Sequence, residues 1–142
     1  MAADSIIQSL RDFFLTCPYL GDNKINVDFL PEKGVEYSID TTPATEIIKK
    51  YVNGDSERQY LFVLRSVNDY GSDTLQNIAN SGTFEKVSSW FETQTDADSL
   101  PILPAGKTAK LIEAQSTGYL FTSTPEAGKY QIQCRLIYLQ KG

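Results

Sequence analysis

The sequence predicts an α+β domain in which two helices pack on a mostly antiparallel sheet of about six strands. Three observations support this. One apolar stripe at helical spacing runs through Ile6, Ile7, Leu10, Phe13 and Phe14, and a second through Phe84, Val87, Trp90 and Phe91. Between and after these stripes lie short runs that alternate apolar with polar residues or are apolar throughout. The length of 142 residues and the hydrophobic content of 41% suit one folded unit spanning 1–142.

Ser5-Ile6-Ile7-Gln8 has the form of a capping box and predicts a helix start, which Pro18 then closes. Residues 24–30 and 35–40 alternate, with Pro31 to Gly34 as a natural turn between two strands. Ile47 to Val52 is β-branched and aromatic, and Asn53-Gly54 predicts a hairpin because both residues tolerate positive φ. Its partner, Arg58 to Val67, is apolar on both faces at its centre, as in an interior strand. Residues 73–80 and 83–93 suit helix, with Asn80-Ser81-Gly82 suggesting a break or kink between two pieces.

Residues 96–106 contain two prolines and two aspartates and predict a surface loop. Residues 107–116 suit helix or strand; the β-rich continuation through Tyr119, Leu120 and Phe121 favours a strand with an irregularity near Gly118. The final run alternates strictly. Tyr130, Ile132, Cys134, Leu136 and Tyr138 fall on one face, and Gln131, Gln133 and Arg135 on the other.

Composition excludes several functions. The formal charge of −5 argues against general affinity for phosphate backbones. No histidine is present, which removes Ser-His-Asp and Cys-His devices and with them most familiar hydrolase and acyltransferase mechanisms. Cys17 and Cys134 have no histidine to join them as zinc ligands and read as buried free thiols of a reducing compartment. Residues 1–17 lack the basic region and unbroken apolar core of a signal peptide, and no run approaches the length of a membrane span. A soluble protein, intracellular at synthesis, is expected.

Individual motifs have bland alternatives that win. Gly106-Lys107-Thr108 copies the end of a phosphate-binding loop, but Pro101 stands where the pattern places its first glycine. Asp96-Ala97-Asp98 lacks the further oxygen ligands and glycine turn of a calcium loop and reads as solvated loop. Trp90 and Phe91 lie on an apolar helix stripe and read as core, not as a ligand platform. Arg58 and Arg65 flank an apolar strand centre; a subunit contact and a solvated rim both remain open for them. No catalytic, cofactor or metal residue is assigned.

Thr16-Cys17-Pro18, Ile25-Asn26-Val27-Asp28-Phe29-Leu30, Glu36-Tyr37-Ser38-Ile39-Asp40, Lys49-Lys50-Tyr51-Val52-Asn53-Gly54 and Tyr130-Gln131-Ile132-Gln133-Cys134-Arg135 carry a resemblance across nearly the whole chain. The chain resembles small minor-capsid or tail-terminator-like proteins of phages and prophages of Gram-positive bacteria. Some members of that group are labelled chloramphenicol-resistance proteins, but without histidine a histidine-based acetyltransferase is out of reach.

The resemblance implies a non-enzymatic virion part with a tail-terminator-like fold and no cofactor, made in the host cytoplasm. It would form a hexameric ring that caps the tail tube and joins it to the head. Its partners would be copies of itself, the tail tube protein and a head-completion protein, with DNA passing through unbound and no membrane involved. Such a ring needs a heterologous interface. The candidate assembly contacts are Arg58, Arg65, Asp96, Asp98, Lys107, Gln131, Gln133 and Arg135. The alternatives are another head–tail connector component, or a small-molecule-modifying enzyme or resistance factor, which would require a deep pocket with convergent polar groups.

Overall fold

A computed structural model describes residues 5–20, 25–27, 30, 36–43, 45–69, 74–123 and 127–142. The elements run α1 (Ile6–Phe14), β1 (Ile25–Val27), β2 (Glu36–Thr41), β3 (Ile47–Lys50), β4 (Ser56–Asp69), α2 (Thr74–Asp96), β5 (Lys107–Ala114), β6 (Tyr119–Ser123) and β7 (Ala127–Gln140). Among the described residues, two helices and a seven-stranded, mostly antiparallel sheet give the expected α+β class.

The sheet is organised around β4 and β7, which pair antiparallel over their full lengths, from Ser56 opposite Gln140 to Asp69 opposite Ala127. Each has a second edge occupied by two shorter strands in succession. β2 and β3 share the free edge of β4, and β5 and β6 share that of β7. β1 lies beyond β2. Phe62 and Leu64 of β4 belong to the core cluster, whereas Val63 points to the opposite face and is buried between the neighbouring strands' Asp40 and Gln133.

Helix α1 starts as its sequence dictates. Ser5 is extended (φ −148°), and its hydroxyl accepts the Gln8 N–H at 3.3 Å, satisfying one of the unpaired amides of the first turn. After Phe14 the chain tightens, with Thr16 and Cys17 N–H donating to the Phe13 and Phe14 carbonyls before Pro18. Leu10, Phe13 and Phe14 meet Trp90 and Phe91 of α2, the Phe13 and Trp90 ring centroids lying 4.6 Å apart.

Both helices bury their stripes on one face of the sheet, formed by Tyr37, Ile39, Phe62, Leu64, Tyr130, Ile132, Cys134 and Leu136. Burying each such aliphatic or aromatic side chain contributes roughly 1.5–3 kcal/mol, and this face therefore holds most of the fold's driving force. Both cysteines are free and buried, and burial pushes both thiols up, away from reactive thiolate.

Four expectations need correction. Helix α2 is continuous through Asn80-Ser81-Gly82. A single interior glycine costs only about 1 kcal/mol, which the packing of Phe84, Val87, Trp90 and Phe91 offsets. The Asn53-Gly54 hairpin forms, but only Gly54 takes positive φ (+96°). The loop is a tight turn closed by Gly54 N–H to Tyr51 O, with the Asn53 side chain accepting the Asp55 N–H at 3.0 Å. The expected turn at Pro31 to Gly34 lies outside the described residues, and the strands flanking it pair parallel, with Ile25 opposite Tyr37, rather than antiparallel as across a tight turn.

The last correction concerns strand number. Among the described residues the sheet has seven strands where about six were expected, because the expected strand from Lys107 to Phe121 divides into β5 and β6. The irregularity falls where Gly118 suggested. Residues 115–118 leave the regular ladder, although Gln115 N–H still reaches Gln133 O at 2.7 Å and Ser116 Oγ accepts the Gln133 N–H. A Cβ on Gly118 would stand 2.3 Å from the Phe84 Cβ, so glycine permits the close approach of this segment to α2.

Candidate assembly surfaces

No described helix lies on the outer face of the sheet. Directly opposed residues of neighbouring strands point to the same side, so the register fixes this surface row by row. Ser38, Arg65, Gln131 and Tyr119 form one row. Asp40, Val63 and Gln133 form the next, followed by Leu61, Arg135 and Glu113, and then by Gln59, Ile137 and Leu111. Four of the sequence-predicted contacts, Arg65, Gln131, Gln133 and Arg135, thus share one surface.

The polar groups there are largely engaged with one another. Arg65 pairs with Asp40 at 3.0 Å, and its guanidinium lies 5.5 Å from the centre of the Phe121 ring. Arg135 grips Glu113 through Nε and an Nη, the Nε contact being 2.8 Å, and Gln131 donates to the Tyr119 hydroxyl. Gln133 is exposed. Such a surface presents amide donors and acceptors and two neutralised ion pairs around Val63 and Ile137, chemistry suited to binding a protein surface.

Arg58 and Lys107 sit elsewhere. Arg58 is on the helix-bearing face at the end of β4, where its Nη1 contacts Glu46 at 3.1 Å and its Nε donates to Ser56 Oγ. The fully buried Tyr138 donates its hydroxyl to the same Glu46 oxygen at 3.0 Å. The Arg58 hydrogen bond, then that of Tyr138, holds the Glu46 carboxyl below its usual range, with Lys107 adding a weaker attraction. The phenol of Tyr138 is conversely pushed up to about 12, by burial first and by Glu46 second. The cluster clips the approach to β3 onto β4 and β7, and Arg58 and Arg65 do not share a surface.

Asp96 and Asp98 are exposed at the end of α2. Asp98 has φ +55° and occupies the left-handed position of a helix stop: its N–H reaches Thr95 O, and Ser99 N–H reaches Gln94 O at 2.9 Å. Beyond it, the segment leading to β5 forms a cleft of about 450 Å³ with α1, walled by Phe13, Leu100, Pro101 and Ile102 and carrying Asp12. The hydroxyls of Ser9 and Thr16 in this cleft donate to the helix carbonyls of Ser5 and Phe13. Lys107 lies on the other side of the same segment, beside Leu103 and Ala109.

Sequence reasoning missed Glu46, Phe121 and Val52. Glu46 and Phe121 depend on long-range register. Val52 had a local signal, a β-branched residue at a hairpin tip, and it is fully exposed between Tyr51 and Asn53. Among the described residues no group of three or more histidine, cysteine, aspartate or glutamate side chains is placed to hold a metal ion, and no helix is long and apolar enough to cross a membrane. No protein-family model matches this chain, and no curated protein does.

Proposed function

We propose that the chain is a structural protein of a phage virion, a tail terminator or minor capsid protein. It acts by forming a ring that caps the tail tube and joins it to the head. The observation that carries this proposal is the outer sheet face. Its central strands bring Arg65, Gln131, Gln133 and Arg135 onto one surface that no described helix covers. The resemblance to tail-terminator-like proteins supplies the biological setting, and the α+β architecture is compatible with a ring subunit.

A ring subunit must present two different patches to its two neighbours. The outer face and the acidic end of α2 lie on separate parts of the fold and supply such a pair. Electron microscopy of purified tail tubes incubated with the protein tests the proposal. Ring-shaped density at one tube end is expected, with six copies per tube. Tubes that remain uncapped at saturating protein would refute it.

A further inference from the structure

We infer that Thr95 guards the open edge of β5: its hydroxyl holds that edge closed to strand addition by a second copy of the chain. The inference goes beyond the ring proposal and does not rest on it.

β5 forms one flank of the sheet. Among the described strands only β7 pairs with it, and it is longer than β1, β3 or β6, which also border the sheet. A strand of this length with one unpaired side is a template for another chain. The ladder fixes which groups are presented there. Gln115 N–H bonds Gln133 O, and the alternation of an antiparallel pair then turns the N–H and C=O of Leu111 and Glu113 toward β7 and those of Ile112 outward.

Both outward groups of Ile112 are taken by one side chain of α2. The Thr95 hydroxyl donates to Ile112 O at 3.2 Å and accepts the Ile112 N–H at 3.3 Å. A residue of an added strand would exchange the same two bonds, so the hydroxyl occupies its place. The end of α2 follows the same flank, with Glu92, Thr95 and Asp96 lining a crevice of about 270 Å³ against residues 111–113. The rest of β5 carries two further obstacles to pairing. Its register breaks between Ala109 and Leu111, and Lys110 at the break is half-exposed, its ammonium 3.4 Å from Glu57. Bulges and lysines blunt an edge, and the Thr95 hydroxyl completes the protection where the ladder is regular.

Amide hydrogen exchange of the full chain, followed by NMR from micromolar to millimolar concentration, tests this with two substitutions. Thr95→Val keeps the branched shape and removes the hydroxyl, whereas Thr95→Ser keeps the hydroxyl. In the wild-type chain the Ile112 amide should be protected to the same degree at every concentration. In Thr95→Val it should exchange roughly tenfold faster in dilute solution and regain protection as concentration rises and a second chain takes the edge. Thr95→Ser should follow the wild type, and Thr95→Ala, which removes the hydroxyl with a stronger helix former, should follow Thr95→Val. Ile112 exchange in the hydroxyl-free variants equal to that of the wild type would overturn the inference, as would faster exchange that gains no protection at any concentration. Wild-type protection that rises with concentration would also overturn it, because the edge would then be open with Thr95 in place.

Discussion

The two faces of the β4–β7 ladder share one backbone and differ in chemistry. On the inner face Phe62, Leu64, Ile132, Cys134 and Leu136 are buried under the helices. On the outer face Arg65, Gln131, Gln133 and Arg135 occupy the intervening positions. Alternation along the two strands separates a buried apolar face from a face that carries these polar side chains around Val63 and Ile137, and changes to the polar side chains should leave the buried face nearly untouched.

The sharpest test of that separation is Trp90→Ala. Its ring is nearly buried and packs on Phe13, so the substitution should cost about 3–5 kcal/mol in denaturant unfolding. Gln133→Ala on the exposed side should stay within about 0.5 kcal/mol. A Trp90→Ala cost under 1 kcal/mol would show that the helix layer does not carry the stability. Gly118→Ala comes next, at about 1–3 kcal/mol, because the new Cβ would collide with Phe84 and force α2 away from the sheet. A thermal melt unchanged from wild type would contradict that close approach.

The pH dependence probes the polar end of the inner face. Tyr138 has a folded value of about 12 against an ordinary value of 10.0, so its contribution is complete below pH 10.0 and is lost as pH rises through about 12. Glu46 has the opposite sign. Its lowered carboxyl stabilises the fold above the ordinary carboxylate range, and that contribution is lost as pH falls through the depressed value. Urea midpoints should therefore show an alkaline limb that Tyr138→Phe flattens and a weaker acid limb that Glu46→Gln flattens. The smallest effect is expected on the outer face, where a double-mutant cycle of Arg135 and Glu113 should give a coupling of about 0–1 kcal/mol, since both side chains are partly exposed.

Local signals made much of the fold legible. The Ser5 cap, the Asn53-Gly54 hairpin, the interior character of Arg58 to Val67 and the alternation of Tyr130 to Tyr138 each depend on a few neighbouring residues, and each appears where the sequence placed it. The misses involve non-local energy. Gly82 lies in a continuous helix because tertiary packing outweighs its propensity, and β1 pairs parallel with β2 although the proline and glycine after it suggested a simple turn. The candidate site was legible only in part. Alternation placed Gln131, Gln133 and Arg135 together, but the partners Glu113, Tyr119 and Asp40 required strand register, and the cleft carrying Asp12 required the approach of α1 to residues 99–102.

Sedimentation velocity across a wide concentration range, alone and with tail tubes, tests the central claim that this is a ring-forming subunit. Concentration-dependent assembly ending at six copies, in solution or on the tube, is the predicted result. A chain that stays strictly monomeric at high concentration and does not co-sediment with tubes would contradict it.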